Sequence, residues 1–398
     1  MKKILLSVVL VFTPVAYAET LEHVEQEVHV VMETIQALKA EINELREAVK
    51  MQGEIQEASV SSIAKVAKKF EKIHIGGYGE LHFSDTENDG GTKSKSVDAH
   101  RFVLFFGYDF NDKVRFRSEF ELEHAIAGDG KTGEIELEQM YLEWDINEAT
   151  AMVVGVNLLP VGIMNENHEP PTFYGVERND VEKYIIPSTW WAAGVGIKHK
   201  MANGVAFEAM IHEGLTMGVD GSIRDGRQKS GNATANDLAY SVRLSYSGFP
   251  GLKTTAFYQR QSDATNSSSD NLGEMDLYGA TAIYQFGDGF EVRALHVQAD
   301  LEYTDKSVAV VTNGFDQQQG TFVEISKRFG EFGFFVNAAK VDAYANSKQY
   351  TDTKAGISWW VQGTDAVIKA NWFDHDNDSD AMDTNDSDGF RLGMGYEF

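Results

Sequence analysis

Arg391-Leu392-Gly393-Met394-Gly395-Tyr396-Glu397-Phe398 is the last stretch of the chain, and its parity decides the architecture. Phe390, Leu392, Met394, Tyr396 and Phe398 share one face of an extended segment, while Arg391, Gly393, Gly395 and Glu397 share the other. Successive side chains of a strand point to opposite faces, so this segment has an oily side and a wet side. That split suits a strand with lipid outside and water inside.

The same texture runs back to about Lys72. Short alternating stretches begin near Ile73, Val97, Lys113, Gly133, Ala149, Trp191, Gly204, Asp237, Gly251, Gly273, Gly289, Gln318, Phe332, Tyr350, Thr364 and Gly389, which makes sixteen candidate strands. Every second link is tight, as at Asn111-Asp112, Asn147-Glu148, Ala202-Asn203, Phe249-Pro250, Gly287-Asp288, Gly330-Glu331 and Gly363-Thr364, and the links between them are longer and polar. A barrel with both ends on one side of a membrane needs this rhythm of short turns and long loops. The expected fold is all-β: a 16-stranded antiparallel transmembrane β-barrel over residues 72–398, preceded by an α-helical coiled coil.

Faces follow for several strands. Phe102, Leu104, Phe106 and Tyr108 alternate with Arg101, Val103, Phe105 and Gly107; Val114, Phe116, Ser118 and Phe120 alternate with Arg115, Arg117, Glu119 and Glu121. Leu238, Tyr240, Val242 and Leu244 likewise alternate with a face that holds Arg243. A charge at the bilayer midplane costs about 2–4 kcal/mol, so the charged faces are expected to line a water-filled lumen. The strands starting near Gly251, Gly289 and Phe332 alternate ambiguously and receive no faces.

Ahead of the barrel, Lys2 and Lys3, the apolar run from Ile4 to Val15 and Ala16-Tyr17-Ala18 read as a signal peptide over 1–18. Leu21, Val24, Val28, Val31, Ile35, Leu38, Ile42, Leu45 and Val49 then recur at alternating spacings of three and four, which predicts a periplasmic coiled coil over 19–52 of two or three strands. A lone amphipathic helix lying on its own domain is the other reading. Residues 53–71, with Gly53 and the serines near Ser59, are a linker or a weakened continuation of the helix. Lys and Arg number 35 against 61 Asp and Glu, a net charge of −26 that argues against a nucleic-acid partner. Acidic loops suit divalent-cation bridges to lipopolysaccharide, and equally an ordinary solvated surface. The absence of Cys excludes disulfides and thiolate chemistry, and the sequence implies no cofactor.

The longest link, from about Pro160 to Trp190, is the third of the long ones. A link of this length in a compact barrel is functional or disordered, and Pro160, Pro170 and Pro171 with Phe173 and Tyr174 argue for order. Here the chain resembles the outer-membrane porins grouped with the phosphate-selective O and P porins. The resemblance is carried by Pro160-Val161-Gly162, by the run from His168 through Arg178, by Ile185-Ile186-Pro187-Ser188-Thr189-Trp190 and by Gly76-Gly77-Tyr78-Gly79-Glu80. The heptad segment looks like that of trimeric dicarboxylate-type porins, and the ending with Tyr396 and Phe398 resembles the signal read by the barrel-assembly machinery. What the resemblance implies is a homotrimer in a Gram-negative outer membrane, its bore narrowed by the third loop, that passes small polar solutes by passive diffusion. Phosphate selectivity does not come with it, because the arginine ladder of those porins has no counterpart here.

The candidate constriction residues are Asn165, Glu166, His168, Glu169, Tyr174, Glu177, Arg178 and Asp180, and the candidate wall bases are Arg101, Arg115, Arg117, Arg243 and Lys369. Acidic groups on the loop opposed to bases on the wall would set a transverse field across the bore. Plain salt bridges within the wall are the alternative for each base. Asp374, Asp376 and Asp378 begin a calcium-like alternation in the last long loop, but the sixth-position Gly and twelfth-position Glu are missing. His212 beside Glu213 and His124 beside Glu123 lack a nucleophile motif, so no enzyme is expected. A structural barrel tethered through its coiled coil to the cell wall or a periplasmic partner is the second reading.

Overall fold

Sixteen strands close into one antiparallel barrel in which every strand pairs with its sequence neighbours and the first pairs with the last. The computed structural model describes residues 19–88, 90–218, 220–265, 272–306, 309–345, 348–377 and 386–398; the signal-peptide reading lies outside these. The strands are β1 Ile73–Asn88, β2 Lys93–Asp109, β3 Val114–Glu123, β4 Ile135–Asp145, β5 Thr150–Leu158, β6 Trp191–Lys200, β7 Val205–His212 and β8 Ala239–Tyr246. The second half holds β9 Leu252–Gln261, β10 Leu272–Phe286, β11 Phe290–Tyr303, β12 Gln317–Phe329, β13 Phe332–Asp342, β14 Gln349–Trp360, β15 Ala366–Asn377 and β16 Ser387–Glu397. Only β2 starts far from its expected place, at Lys93 instead of Val97, because it continues as a hairpin with β1 beyond the alternating segment. The closing seam sets Leu81 opposite Met394 and Phe83 opposite Leu392, and Gly77 and Phe398 exchange backbone hydrogen bonds of 3.0 and 2.9 Å.

The chain divides into two compact units at Glu71 and Lys72. The first is a single helix, α1 Glu19–Phe70, that runs through Gly53, so of linker and helical continuation the structure has the helix. Its seam residues Val28, Val31, Ile35, Leu38, Ile42, Leu45 and Val49 are all exposed. Among the described residues no helix is long and apolar enough to cross a membrane.

Outside the barrel, Phe102, Leu104 and Phe106 of β2, Leu142 and Trp144 of β4, Val195 and Ile197 of β6 and Leu392 and Met394 of β16 are exposed, as a lipid-facing belt requires. The loop-side parts of β10–β13 break the rule; of the strands left without faces, β13 still turns Phe332, Phe334 and Val336 outward. Met275 and Leu277 of β10, Leu295, Val297 and Leu301 of β11, Phe322 of β12 and Val341 of β13 point inward and are buried in one apolar cluster. Opposite them Asp276 and Tyr278, His296, Gln298 and Asp300, and Gln319 and Thr321 turn outward. This sector is apolar inside and polar outside. The expectation of a charged inner face therefore holds for β1–β4, although Glu119, Glu121 and Glu138 there are shut from solvent, and fails here, where loops pack into the bore and supply the apolar partners.

Asp374 and Asp376 correct a second expectation. They belong to β15, in extended register opposite Thr353 and Thr351 of β14, and not to the last long loop; Asp378 lies outside the described residues.

Candidate functional site

The link between β5 and β6 turns into the barrel. Leu159, Val161, Met164, Phe173, Tyr174, Val176, Ile185, Ile186 and Trp190 are all buried, and a short helix, α2 Val181–Tyr184, packs Val181 into the apolar cluster beside Leu215, Met217 and Ile223 of the β7–β8 link. Asn165 closes the loop at its base: its Nδ2 donates to the carbonyls of Leu159 (2.8 Å) and Trp190 (3.0 Å), and its Oδ1 accepts from the Trp190 N–H (2.6 Å). Glu182 is buried and accepts from the N–H groups of Ile163 and Met164, each at 2.6 Å. Burial raises its carboxyl above the ordinary value despite these donors.

From that base the loop reaches the far wall. Asn371 Oδ1 of β15 accepts from the Val176 N–H (3.0 Å), Lys369 Nζ donates to the Gly175 carbonyl (2.9 Å), and Ser358 Oγ of β14 donates to the Tyr174 carbonyl (2.6 Å). Glycines make room for the approach. A Cβ on Gly395 would sit 2.2 Å from Pro170 Cβ, one on Gly333 2.4 Å from the Tyr174 ring, and one on Gly393 2.9 Å from Val176 Cγ1. The wet face of the final strand is thus the seat of the loop. An ideal Cβ on Gly393 lies 3.5 Å from Val176 Cβ, within the span of a disulfide. The Val176→Cys, Gly393→Cys double variant of this cysteine-free chain is expected to oxidise spontaneously and to keep wild-type conductance. Free thiols that persist under oxidant, titrated on the folded barrel, would count against the seat.

The loop separates two cavities. One, of about 620 Å³, opens toward the long loops and is lined by His82, Asp98, His100, His124, Asp180 and Arg391 among others; the other, of about 460 Å³, lies near the short turns beside Glu166, Arg243, Lys253 and Arg293. Residues of the loop line both.

The expected opposition of loop acids and wall bases is found at one place. Arg243 bridges Glu166 of the loop and Glu208 of β7, the latter at 2.6 Å. Glu177 meets a histidine instead, His82 Nδ1, at 3.0 Å. Burial works to raise Glu177, but the hydrogen bond and charge of His82 outweigh it and hold the carboxyl well below the usual carboxylate range. Asp180 accepts from Tyr350 OH (2.9 Å), Arg178 donates to the His168 carbonyl (3.2 Å), and the Glu169 carbonyl takes Thr172 Oγ1 (2.7 Å). The Tyr174 ring packs edge-on against Trp360. Lys369 sits 3.4 Å from the centre of the Phe173 ring. Arg101 stays within the wall between Glu80 (3.8 Å) and Glu121 (3.5 Å), Arg115 pairs with Glu143 and Asp145, and Arg117 pairs with Asp109 (2.9 Å). Tyr396 and Phe398 lie at the seam with their rings stacked.

Around His124 the upper cavity also gathers residues that were not singled out. His82 and His100 stack with ring centres 4.5 Å apart, and Asp98 meets His100 (3.0 Å) and His124 (2.9 Å). The alternation of Glu80 and His82 with Leu81 and Phe83 carried that signal. Arg224, Arg227 and Arg391 also enter this cavity, and burial, with Arg224 nearby, pulls the Arg227 guanidinium down to about 10.

No family model matches the chain. A curated protein of Aquifex aeolicus (strain VF5), described as uncharacterized, is 33% identical over 250 residues, and the chain spans 56% of the length of this relative and is itself covered over 61%. Among solved structures, Salmonella typhi OmpF in complex with daunomycin is similar with a TM-score of 0.56 at 12% identity, over 82% of this chain and 97% of that one. The anion-selective porin from Comamonas acidovorans gives 0.54 at 9%, over 82% and 99%. At such identities the likeness is one of fold. Closed cylinder and apolar belt together make this an outer-membrane β-barrel whose fold is like that of the porins.

Proposed function

We propose that this chain is a diffusion porin whose third loop narrows the bore and whose mouth favours small anionic solutes. The observation that carries the reading is the loop seated between two polar cavities inside a closed barrel. The mouth supplies the sign. Among the described residues, Lys183, Arg224, Lys348 and Arg391 of the upper cavity form no salt bridge and neither do Glu123 and Asp180, whereas Glu80, Asp98, Glu177 and Asp352 each face His, Arg or Lys. Paired carboxylates contribute little outward field, and the excess of unpaired bases over unpaired acids attracts anions. Among the described residues Ser241 Oγ lies 2.8 Å from His212 Nε2, but Nδ1 of that ring accepts from the Gly214 N–H, so the neutral ring carries its hydrogen on Nε2, and no carboxylate orients it as a base for catalysis. Planar-bilayer recording in a salt gradient is the test: stepped conductance with a zero-current potential of anion-preferring sign is expected, and a silent barrel would refute it.

Two surfaces favour a homotrimer. The exposed heptad seam of α1 needs partner helices, and its mixed Val, Ile and Leu composition permits three. The inverted sector of β10–β12 is the second. His296 stands six residues above Phe290, about 14 Å up a strand tilted near 45°, which is the middle of a roughly 25 Å apolar band. At the same height β2 carries Leu104. A neighbouring barrel, not lipid, suits Ala280, His296 and Thr321. Tyr396 and Phe398 are offered to the assembly machinery, and the acidic outer loops to lipopolysaccharide. The length of α1, 52 residues or about 78 Å, also favours a tethering role toward the cell wall, which a silent barrel would bring forward.

A further inference from the structure

Beneath the third loop, four ionisable side chains are shut away from solvent on the β3–β4 wall. Glu119 and Glu121 of β3, Glu138 of β4 and His168 of the loop are each at most 2% exposed. Glu138 comes to this place through a bulge. The ladder pairs Glu119 with Gln139 and then Phe120 with Leu137, so Glu138 is the extra residue, and it turns inward beside Gln139, whose amide bonds Glu119. Bulges re-aim side chains at functional positions.

As carboxylates, neither oxygen of Glu138 has a hydrogen-bond donor and one oxygen of Glu121 also lacks one, while a proton on Glu138 would be shared with Glu121. Arg101 Nη1, 3.5 Å away, compensates Glu121. Among the described residues Glu119 and Glu138 form no salt bridge to Lys or Arg, which leaves two acidic groups without a strong base in a closed site. His168 faces them with a defined tautomer. Its Nδ1 lies 3.2 Å from the Asn165 carbonyl, which only accepts, so Nδ1 carries the hydrogen and Nε2 is turned toward Glu119 (3.4 Å) and Glu138 (3.9 Å). A backbone carbonyl on one nitrogen commonly orients the other toward a metal. The separations exceed the roughly 2.7–2.9 Å of a charge-assisted hydrogen bond. They come near the spacing of about 3.0–3.6 Å between two atoms that each ligate one ion at about 2.0–2.2 Å. The three ligand atoms all lie within 4.8 Å of one another.

We propose that Glu119, Glu138 and His168 bind a divalent cation of the Mn²⁺, Fe²⁺ or Zn²⁺ class, which fastens the third loop to the wall. One imidazole with carboxylate oxygens suits these borderline ions, and two carboxylates, ionised on binding, match a dication. The site holds whether or not the pore conducts.

The test is a titration of chelator-stripped, detergent-solubilised full-length protein with Mn²⁺, followed by paramagnetic resonance. About one Mn²⁺ per chain is expected, displaced by Zn²⁺, with affinity reduced about tenfold or more in the near-isosteric Glu138→Gln and in His168→Ala. Asp98→Asn, in the separate histidine group of the upper cavity, is expected to leave this ion in place. The proposal is overturned if stripped wild-type protein takes up no ion, which would leave a protonated Glu138 and an imidazolium to explain the cluster, or if uptake survives both substitutions and is lost in Asp98→Asn.

Discussion

Replacing Arg224 and Arg391 together with glutamate is expected to reverse the ion preference of the proposed channel. Neither guanidinium group forms a salt bridge among the described residues: Arg224 reaches the Lys183 carbonyl at 3.5 Å, and Arg391 lies over the Phe373 ring at 3.9 Å and acts on Glu177 and Asp180 only at longer range. The double substitution moves the local charge by four units. At 5 Å in a water-like medium each unit is worth about 0.8 kcal/mol, so the swing amounts to roughly 3 kcal/mol before screening. Salt at 0.1 M screens beyond about 10 Å, which leaves an ion in the cavity within reach. The zero-current potential in a salt gradient is expected to change sign with conductance otherwise retained. An unchanged sign would show that selectivity is set elsewhere, with Arg243 and Arg293 of the lower cavity as the next places to look.

Two substitutions on the outer surface are expected to part ways. Leu104→Arg, on the belt of β2, places a charge in lipid and costs the barrel about 2–4 kcal/mol, read as a lower midpoint of denaturant unfolding in vesicles. Ala280→Trp, on β10 opposite His296, leaves the barrel folded but splits the oligomer into single barrels, because a bulky ring fills the contact between copies. Gel mobility with and without heating separates the outcomes. Intact trimers in Ala280→Trp would show that this sector does not face a neighbour.

The sequence announced the barrel through turn rhythm and parity, and these survive in the structure because lipid leaves a strand little choice of face. Where loops fill the bore, that constraint lapses. Leu295 and Val297 could turn inward once Val181 and Ile185 were there to meet them, and no window along β11 alone reveals partners a hundred residues away. The bulge at Glu138 was visible in principle: the oily positions switch parity between Leu137 and Met140, a register break that strict alternation does not produce. The pairing of Arg115 with Glu143 and Asp145 was not visible, since it depends on register between strands. Of the loop acids, only Glu166 found an expected base, because position along a strand fixes the face but not the depth.

The glycine seat has a consequence for how the molecule is made. Ser358, Trp360, Lys369 and Asn371 meet the third loop across separations of 184 to 195 residues, and Gly393 and Gly395 come later still. Contacts so distant along the chain form late in folding. The threshold across the bore is therefore hung only after the cylinder has zipped shut, and a chain stalled short of its last strands remains an open trough with nothing to bar the way.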